Sequence, residues 1–201
     1  MIGLLIAPIL AALLAQEPSE PAPTLEAAPQ TKKDALLASK RQVLAESRRP
    51  LAPGDVASRP IWAHNLRTHE IRALDGPSGM SSQAERSGFF RCWFTAKEGP
   101  VPPELVEQIL ESARHFEVRE VRIISGFRAP KYNLLLRKKG HEVAEQSEHS
   151  EGMAIDFFLP GVATRTLYDW LLARHQGGVG FYPVSEFVHI DRGRKRTWRG
   201  T

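Results

Sequence analysis

The amino-acid sequence predicts an α+β domain, a small mixed or antiparallel sheet with flanking helices. Two stretches carry apolar residues at helical 3–4 spacing, and several short apolar runs have strand length. The order of these elements shows no regular strand–helix–strand alternation, which argues against a doubly wound parallel fold.

Taken in order, Trp62 to Asp75 (WAHNLRTHEIRALD) alternates loosely and reads as a hairpin. Phe89 to Thr95 (FFRCWFT) is aromatic-rich and reads as a strand. Pro102 and Pro103 suit the first turn of a helix. Its apolar face is Leu105, Val106, Ile109, Leu110, Ala113 and Phe116. Val118 to Ser125 (VREVRIIS) reads as a buried strand ended by Gly126, and Met153 to Leu159 (MAIDFFL) as another closed by Pro160 and Gly161. Thr164 to Arg174 forms a second amphipathic helix through Leu167, Trp170 and Leu171, stopped by Gly177 and Gly178. Val179 to Tyr182 and Glu186 to Asp191 are two last strands joined by a turn at Pro183.

The 201 residues divide into three expected parts. Ile2 to Leu14 is almost wholly apolar but shorter than the about 20 residues a membrane-spanning helix needs. Residues 1–15 therefore read as a secretory signal or an uncleaved anchor, although no Lys or Arg precedes the apolar run. Residues 16–60 read as a linker rich in Pro and Ala, with a short isolated helix over Thr31 to Arg49. Residues 61–201 are long enough for one core. This organisation implies export to the periplasm or cell envelope, with the membrane met only through the N-terminal segment.

Charge and cysteine content narrow the chemistry. The formal net charge is +4, yet Arg192, Arg194, Lys195, Arg196 and Arg199 lie within the last ten residues, and the remainder carries −1. The basicity is a property of the tail, and a nucleic-acid partner is not expected. Cys92 is the only cysteine, which excludes a disulfide framework and a cysteine-based zinc finger. A metal site would have to use His and carboxylates.

Two segments hold residue types that packing alone does not select. In SEHSEGMAID, Ser147 to Asp156, a loop histidine, His149, stands seven residues before Asp156 in an apolar strand. Burying that carboxylate costs several kcal/mol unless it is paired or bound to metal. Alternation places Ala154, Asp156 and Phe158 on one face. In EFVHID, Glu186 to Asp191, it places Phe187, His189 and Asp191 together. These residues are either hydrogen-bonded polar groups or, if the strands are neighbours, His149, Asp156 and His189 converge as metal ligands. Three N/O ligands with a fourth position open describe a catalytic zinc site.

The pattern SxHxxGxAxD, filled by Ser147, His149, Gly152, Ala154 and Asp156 and followed by His189 and Asp191, resembles the zinc D-Ala-D-Ala and murein peptidases. These share a fold with lysostaphin-type enzymes and the hedgehog signalling domain. ISGFRAPKYN, Ile124 to Asn133, is similar to that family's SGYR segment, and Gly177 to Trp198 resembles the bacterial murein endopeptidase branch. The resemblance implies a zinc peptidase that cleaves peptide cross-links or stem peptides of peptidoglycan. It also implies that Arg128 contacts a substrate carboxylate or a developing oxyanion.

The proton-carrying carboxylate is either Glu186 or Asp191. Glu186 lies three before His189, where carboxypeptidase relatives place their catalytic Glu, but alternation points it away unless the chain bends. Asp191 shares the face of His189 about 6.5 Å along the strand and serves as a base through water or as an anchor for the imidazole. The alternative reading is a catalytically silent zinc- or peptidoglycan-binding module of the same fold.

Overall fold

The computed structural model describes residues 60–77, 79–139 and 144–201. The signal, nearly all of the linker and its short helix fall outside these residues. The described chain is built on one seven-stranded mixed sheet, in agreement with the α+β expectation. The strands are β1 (Trp62–Asn65), β2 (Ile71–Ala73), β3 (Glu120–Ser125), β4 (Ala154–Phe158), β5 (Gly178–Tyr182), β6 (Phe187–Asp191) and β7 (Arg196–Arg199). Their spatial order is β2-β1-β3-β4-β6-β5-β7. The β1–β3 and β5–β7 pairs are parallel and all other neighbours are antiparallel. The helices are α1 (Gln83–Phe89), α2 (Pro103–His115), α3 (Pro130–Lys138) and α4 (Thr164–Arg174). Among the described residues no helix is long and apolar enough to cross a membrane.

One face of the sheet is the core. α2 packs against β3 and α4 against β5 and β6. Leu105, Ile109, Leu167 and Leu171 meet Ile123, Ile155, Phe157, Val188 and Ile190 there. Each such side chain, fully withdrawn from water, stabilises the fold by about 1.5–3 kcal/mol. Strict alternation along β4 and β6 then turns Asp156, His189 and Asp191 to the opposite face.

The FFRCWFT segment departs from expectation. It holds no strand: α1 ends at Phe89 and the chain turns through the next residues. The helix start is set by a capping box in which the Ser82 hydroxyl accepts from the Glu85 N–H and the Glu85 carboxylate accepts from the Ser82 N–H. The aromatic run serves two different environments. Phe89 and Phe90 are buried edge to face, whereas Trp93 and Phe94 stay exposed. Two further elements, α3 and β7, carry no clear hydrophobic period. Pro130 opens α3 at its first turn, and β7 alternates half-buried with exposed residues at the sheet edge.

Gly152 fixes the approach to β4. Its φ is +74°, a left-handed conformation, and an added Cβ would lie 1.8 Å from the Pro100 carbonyl oxygen. Both the backbone and the neighbouring loop would have to move. We expect Gly152→Ala to lower stability by about 2–4 kcal/mol, measured by urea denaturation. An unchanged midpoint would show that the loop accommodates a side chain.

Candidate metal centre

Strand register gathers the site. Across the sheet Asp156 pairs with His189 and also faces Ser125, and His189 pairs in turn with Gly180, which faces Trp198. Two residues further along, on the same face, Ala154 pairs with Asp191 and Gly178 with Arg196. Two adjacent rows therefore present Asp156 beside His189 and Asp191 beside Arg196, on the face away from the core. His149 joins them from a tight turn in which Ser150 N–H donates to Ser147 and Met153 N–H to the Glu148 carbonyl. All three expected ligands are buried.

The SGFR segment locks that turn. His149 Nδ1–H donates to the Gly126 carbonyl at 2.7 Å, and Arg128 N–H donates back to the His149 carbonyl at 2.8 Å. Gly126 itself packs too tightly on Phe90 for any side chain, because a Cβ would come within 2.7 Å of it. With Nδ1 committed as a donor, neutral His149 directs the lone pair of Nε2 into the site. At the other ring, Asp191 Oδ2 accepts from His189 Nε2 at 3.0 Å and thereby turns Nδ1 towards Asp156.

His149 Nε2 lies 3.1 Å from Asp156 Oδ2 and 3.2 Å from His189 Nδ1, and His189 Nδ1 lies 2.8 Å from Asp156 Oδ1. A tetrahedral ion with bonds of about 2.0 Å needs ligand atoms about 3.3 Å apart. Taken at both Asp156 oxygens, these separations bring the three groups within reach of one ion, and the donor types suit zinc. Burial pushes His149 down, with Arg128 and His189 acting in the same direction against the attraction of Asp156. Burial also opposes ionisation of Asp156, but the two imidazoles outweigh it and hold the carboxyl far below the usual range. Burial works against charge on His189, whose pKa is nevertheless raised by its hydrogen bonds to Asp156 and Asp191. A divalent cation requires Asp156 anionic and both imidazoles neutral, so on binding it would displace the proton that the hydrogen bonds of His189 favour.

Asp191 is saturated. Its Oδ1 accepts from the N–H groups of Gly178 and Gly193 and from Arg196 Nη1, at 3.1, 2.8 and 3.0 Å. Its Oδ2 accepts from His189 and, at 2.8 Å, from Arg196 Nη2. Burial alone would raise its pKa, but His189 and Arg196 drive it well below the usual carboxylate range. A Cβ on Gly178 would reach within 2.4 Å of Asp191 Oδ2, so glycine is what admits this carboxylate. His175 extends the brace by donating from Nε2 to the Asp191 carbonyl at 2.7 Å.

The site forms the floor of a cleft of about 600 Å³. Arg128 lines it, with Nη2 3.5 Å from Asp156 Oδ2 and 3.3 Å from Ser125 Oγ, and its buried Nε has no partner. Ser147 and Tyr132 also line the cleft. Glu186 does not. It is exposed at the end of the β5–β6 turn, where a φ of 54° bends the chain. The carboxylates that do line it are Asp156 and Glu148. Spacing alone does not separate Arg196 and Trp198 from the basic tail, yet both belong to this wall. Arg196 clamps Asp191, and the Trp198 ring lies 5.0 Å from His189 and donates from Nε1 to the Tyr182 hydroxyl.

The Peptidase_M15_2 family, described as peptidoglycan L,D-endopeptidase MepK, matches residues 77–198. The chain is 36% identical over 145 residues to peptidoglycan L,D-endopeptidase MepK of Escherichia coli (strain K12), covering 70% of this chain and 80% of that protein. The protein of the same name from Shigella flexneri matches with the same values. A probable peptidoglycan L,D-endopeptidase MepK of Haemophilus influenzae is 40% identical over 81 residues, covering 40% of this chain and 44% of that protein. No solved structure matches the chain.

Asp191 orients His189 through its far nitrogen, and loss of such a partner weakens metal binding about 10- to 100-fold. We therefore expect Asp191→Asn to lower zinc affinity by that factor, measured by competition with a chromophoric chelator. Wild-type affinity in the variant would show that the imidazole is held without it.

Proposed function

The chain belongs to the Peptidase_M15_2 family of peptidoglycan L,D-endopeptidases, and from that membership we propose that it is a zinc-dependent cell-wall peptidase hydrolysing an L,D amide bond in peptidoglycan peptides. The observation that carries this reading is the convergence of His149 Nε2, His189 Nδ1 and the Asp156 carboxylate, with contacts of 2.8–3.2 Å, on the cleft floor. In this reading His149, Asp156 and His189 hold the metal. When bound, zinc supplies a Lewis acid that polarises the scissile carbonyl and makes water a nucleophile near neutral pH.

The chain's own residues do the positioning. Arg128, fixed at its backbone by His149, brings a guanidinium charge to the cleft beside Asp156. It suits the oxygen of the scissile carbonyl, where negative charge grows as the bond is attacked. We assign Asp191 to orientation of His189 rather than to proton transfer. Five donors occupy its lone pairs, and its lowered pKa makes it a poor base at neutral pH. The exposed turn position of Glu186 gives no support to a proton-transfer role for it.

The arrangement of a loop His, a strand Asp and a late-strand His on one sheet face supports the resemblance to lysostaphin-type and hedgehog folds. Residues 1–15 would serve as signal or anchor and 16–60 as tether, delivering the 61–201 domain to the periplasm or envelope. No membrane contact is needed beyond that N-terminal segment.

The test is digestion of purified sacculi with product masses read by mass spectrometry. We expect the zinc-loaded protein to release fragments cut at an L,D bond, and His149→Ala to lose both zinc and digestion while keeping its fold. Zinc binding without turnover would favour the silent-module alternative. Arg128→Ala is expected to lower kcat about 100- to 1,000-fold with zinc retained. Glu186→Gln should remain within about threefold of wild type, and a loss of 100-fold would return Glu186 to the reacting centre.

A further inference from the structure

We propose that Arg67 is a specificity-determining residue that binds a free carboxylate of the substrate at the wall of the cleft, an assignment that rests on the peptidoglycan-peptidase reading above. Arg67 lies before the family-matched segment 77–198, in the turn between β1 and β2. It lines the same cleft as His149, Asp156 and His189.

The turn that carries Arg67 is held from both ends. Asn65 is 4% exposed, and its Oδ1 accepts from the N–H groups of Arg67 and Thr68 at 3.0 and 3.2 Å. Its Nδ2 donates to the Phe89 carbonyl at 2.9 Å, which ties the turn to the end of α1. On the other leg Glu70 accepts from both terminal nitrogens of Arg91, each at 2.9 Å. The acid on this turn is therefore already engaged by another guanidinium.

Arg67 is left with an aromatic neighbour. Its guanidinium carbon lies 5.7 Å from the Trp93 ring centroid, and among the described residues it makes no ion pair. Trp93 packs edge-on to Tyr132 at 5.5 Å, and Tyr132 stacks on Phe94 at 5.1 Å, which makes this wall a braced aromatic surface. A guanidinium attracted to a ring face keeps its planar N–H fork for a carboxylate. The other two arginines of the cleft are committed differently. Both arms of Arg196 hold Asp191, and Arg128 faces Asp156 at the reacting centre. Among the described residues Arg67 is thus the cleft guanidinium with no acid of its own.

Peptidoglycan stem peptides supply such an acid. A γ-linked glutamate leaves its α-carboxylate free, and a diaminopimelate residue can carry a second free carboxylate. The two sources share one chemistry and are separable by amidating each in turn.

The experiment measures kcat and KM of the zinc-loaded full chain on three stem peptides: unmodified, amidated at glutamate, and amidated at diaminopimelate. Calorimetric binding of the same peptides provides a second readout. We expect Arg67→Gln to raise KM for the unmodified peptide about 10- to 100-fold with little change in kcat. Amidation of one carboxylate should penalise the wild type similarly, and the two penalties should not add. Arg67→Lys should recover part of the loss. Equal effects of Arg67→Gln on all three peptides, or no effect on any, would overturn the assignment while wild-type cleavage left the peptidase reading intact. Neither binding nor cleavage of any peptide by the wild type would overturn both.

Discussion

The structure depends on one buried carboxylate. Asp156 lies in a strand whose every residue is buried, and it must be compensated by charge or hydrogen bonds. The sheet supplies both by pairing Asp156 directly with His189 and bringing His149 over it from the preceding turn. Removing any member would leave a buried charge or an unpaired donor, which costs more than the intact pair contributes. The same arrangement makes three ligand atoms available at one point. The requirement that stabilises the fold and the requirement that creates the site are thus one electrostatic constraint.

Around this centre the chain is organised in supporting shells. Gly126 and Asp191 each set one imidazole by accepting from the nitrogen that faces away from the site. Asp191 is itself set by Gly178, Gly193 and Arg196, and its carbonyl is braced by His175. This revises the meaning of the basic tail. Arg196 is an internal clamp and Arg192 pairs with Glu104 at 3.5 Å, so part of the tail's charge is neutralised within the chain. In the proposed reading the cleft instead meets its substrate through Arg128 near the reacting centre and through Arg67 on the aromatic wall.

Much of this was legible in the sequence, and for identifiable reasons. The spacing of Leu105, Ile109 and Leu110, and of Leu167 and Leu171, can be satisfied only by helices that bury one face. Polar residues interrupting MAIDFFL and EFVHID could be explained only by pairing or metal, and period-two alternation gave the face they share. FFRCWFT misled because hydrophobicity without a period does not distinguish a strand from a helix end and its following turn. β7 was hidden because a sheet-edge strand needs no continuous apolar face.

What the sequence determined by itself is the kind of chemistry: which residues are too polar for their apolar surroundings, and therefore which atoms must find partners. What only the tertiary structure decided is which partner each atom finds. Asp191 and Glu186 are both carboxylates close to His189 in the chain, and local spacing does not separate them. Register across four strands surrounds Asp191 with donors, and a left-handed residue in a turn sends Glu186 outward. Arg67 and Trp93 are far apart in sequence and meet where Asn65 ties the β1–β2 turn to the end of α1 beside the cleft. Hydrogen-bond saturation and cleft exposure arise from contacts between distant segments, so they become defined only when the sheet has closed its order.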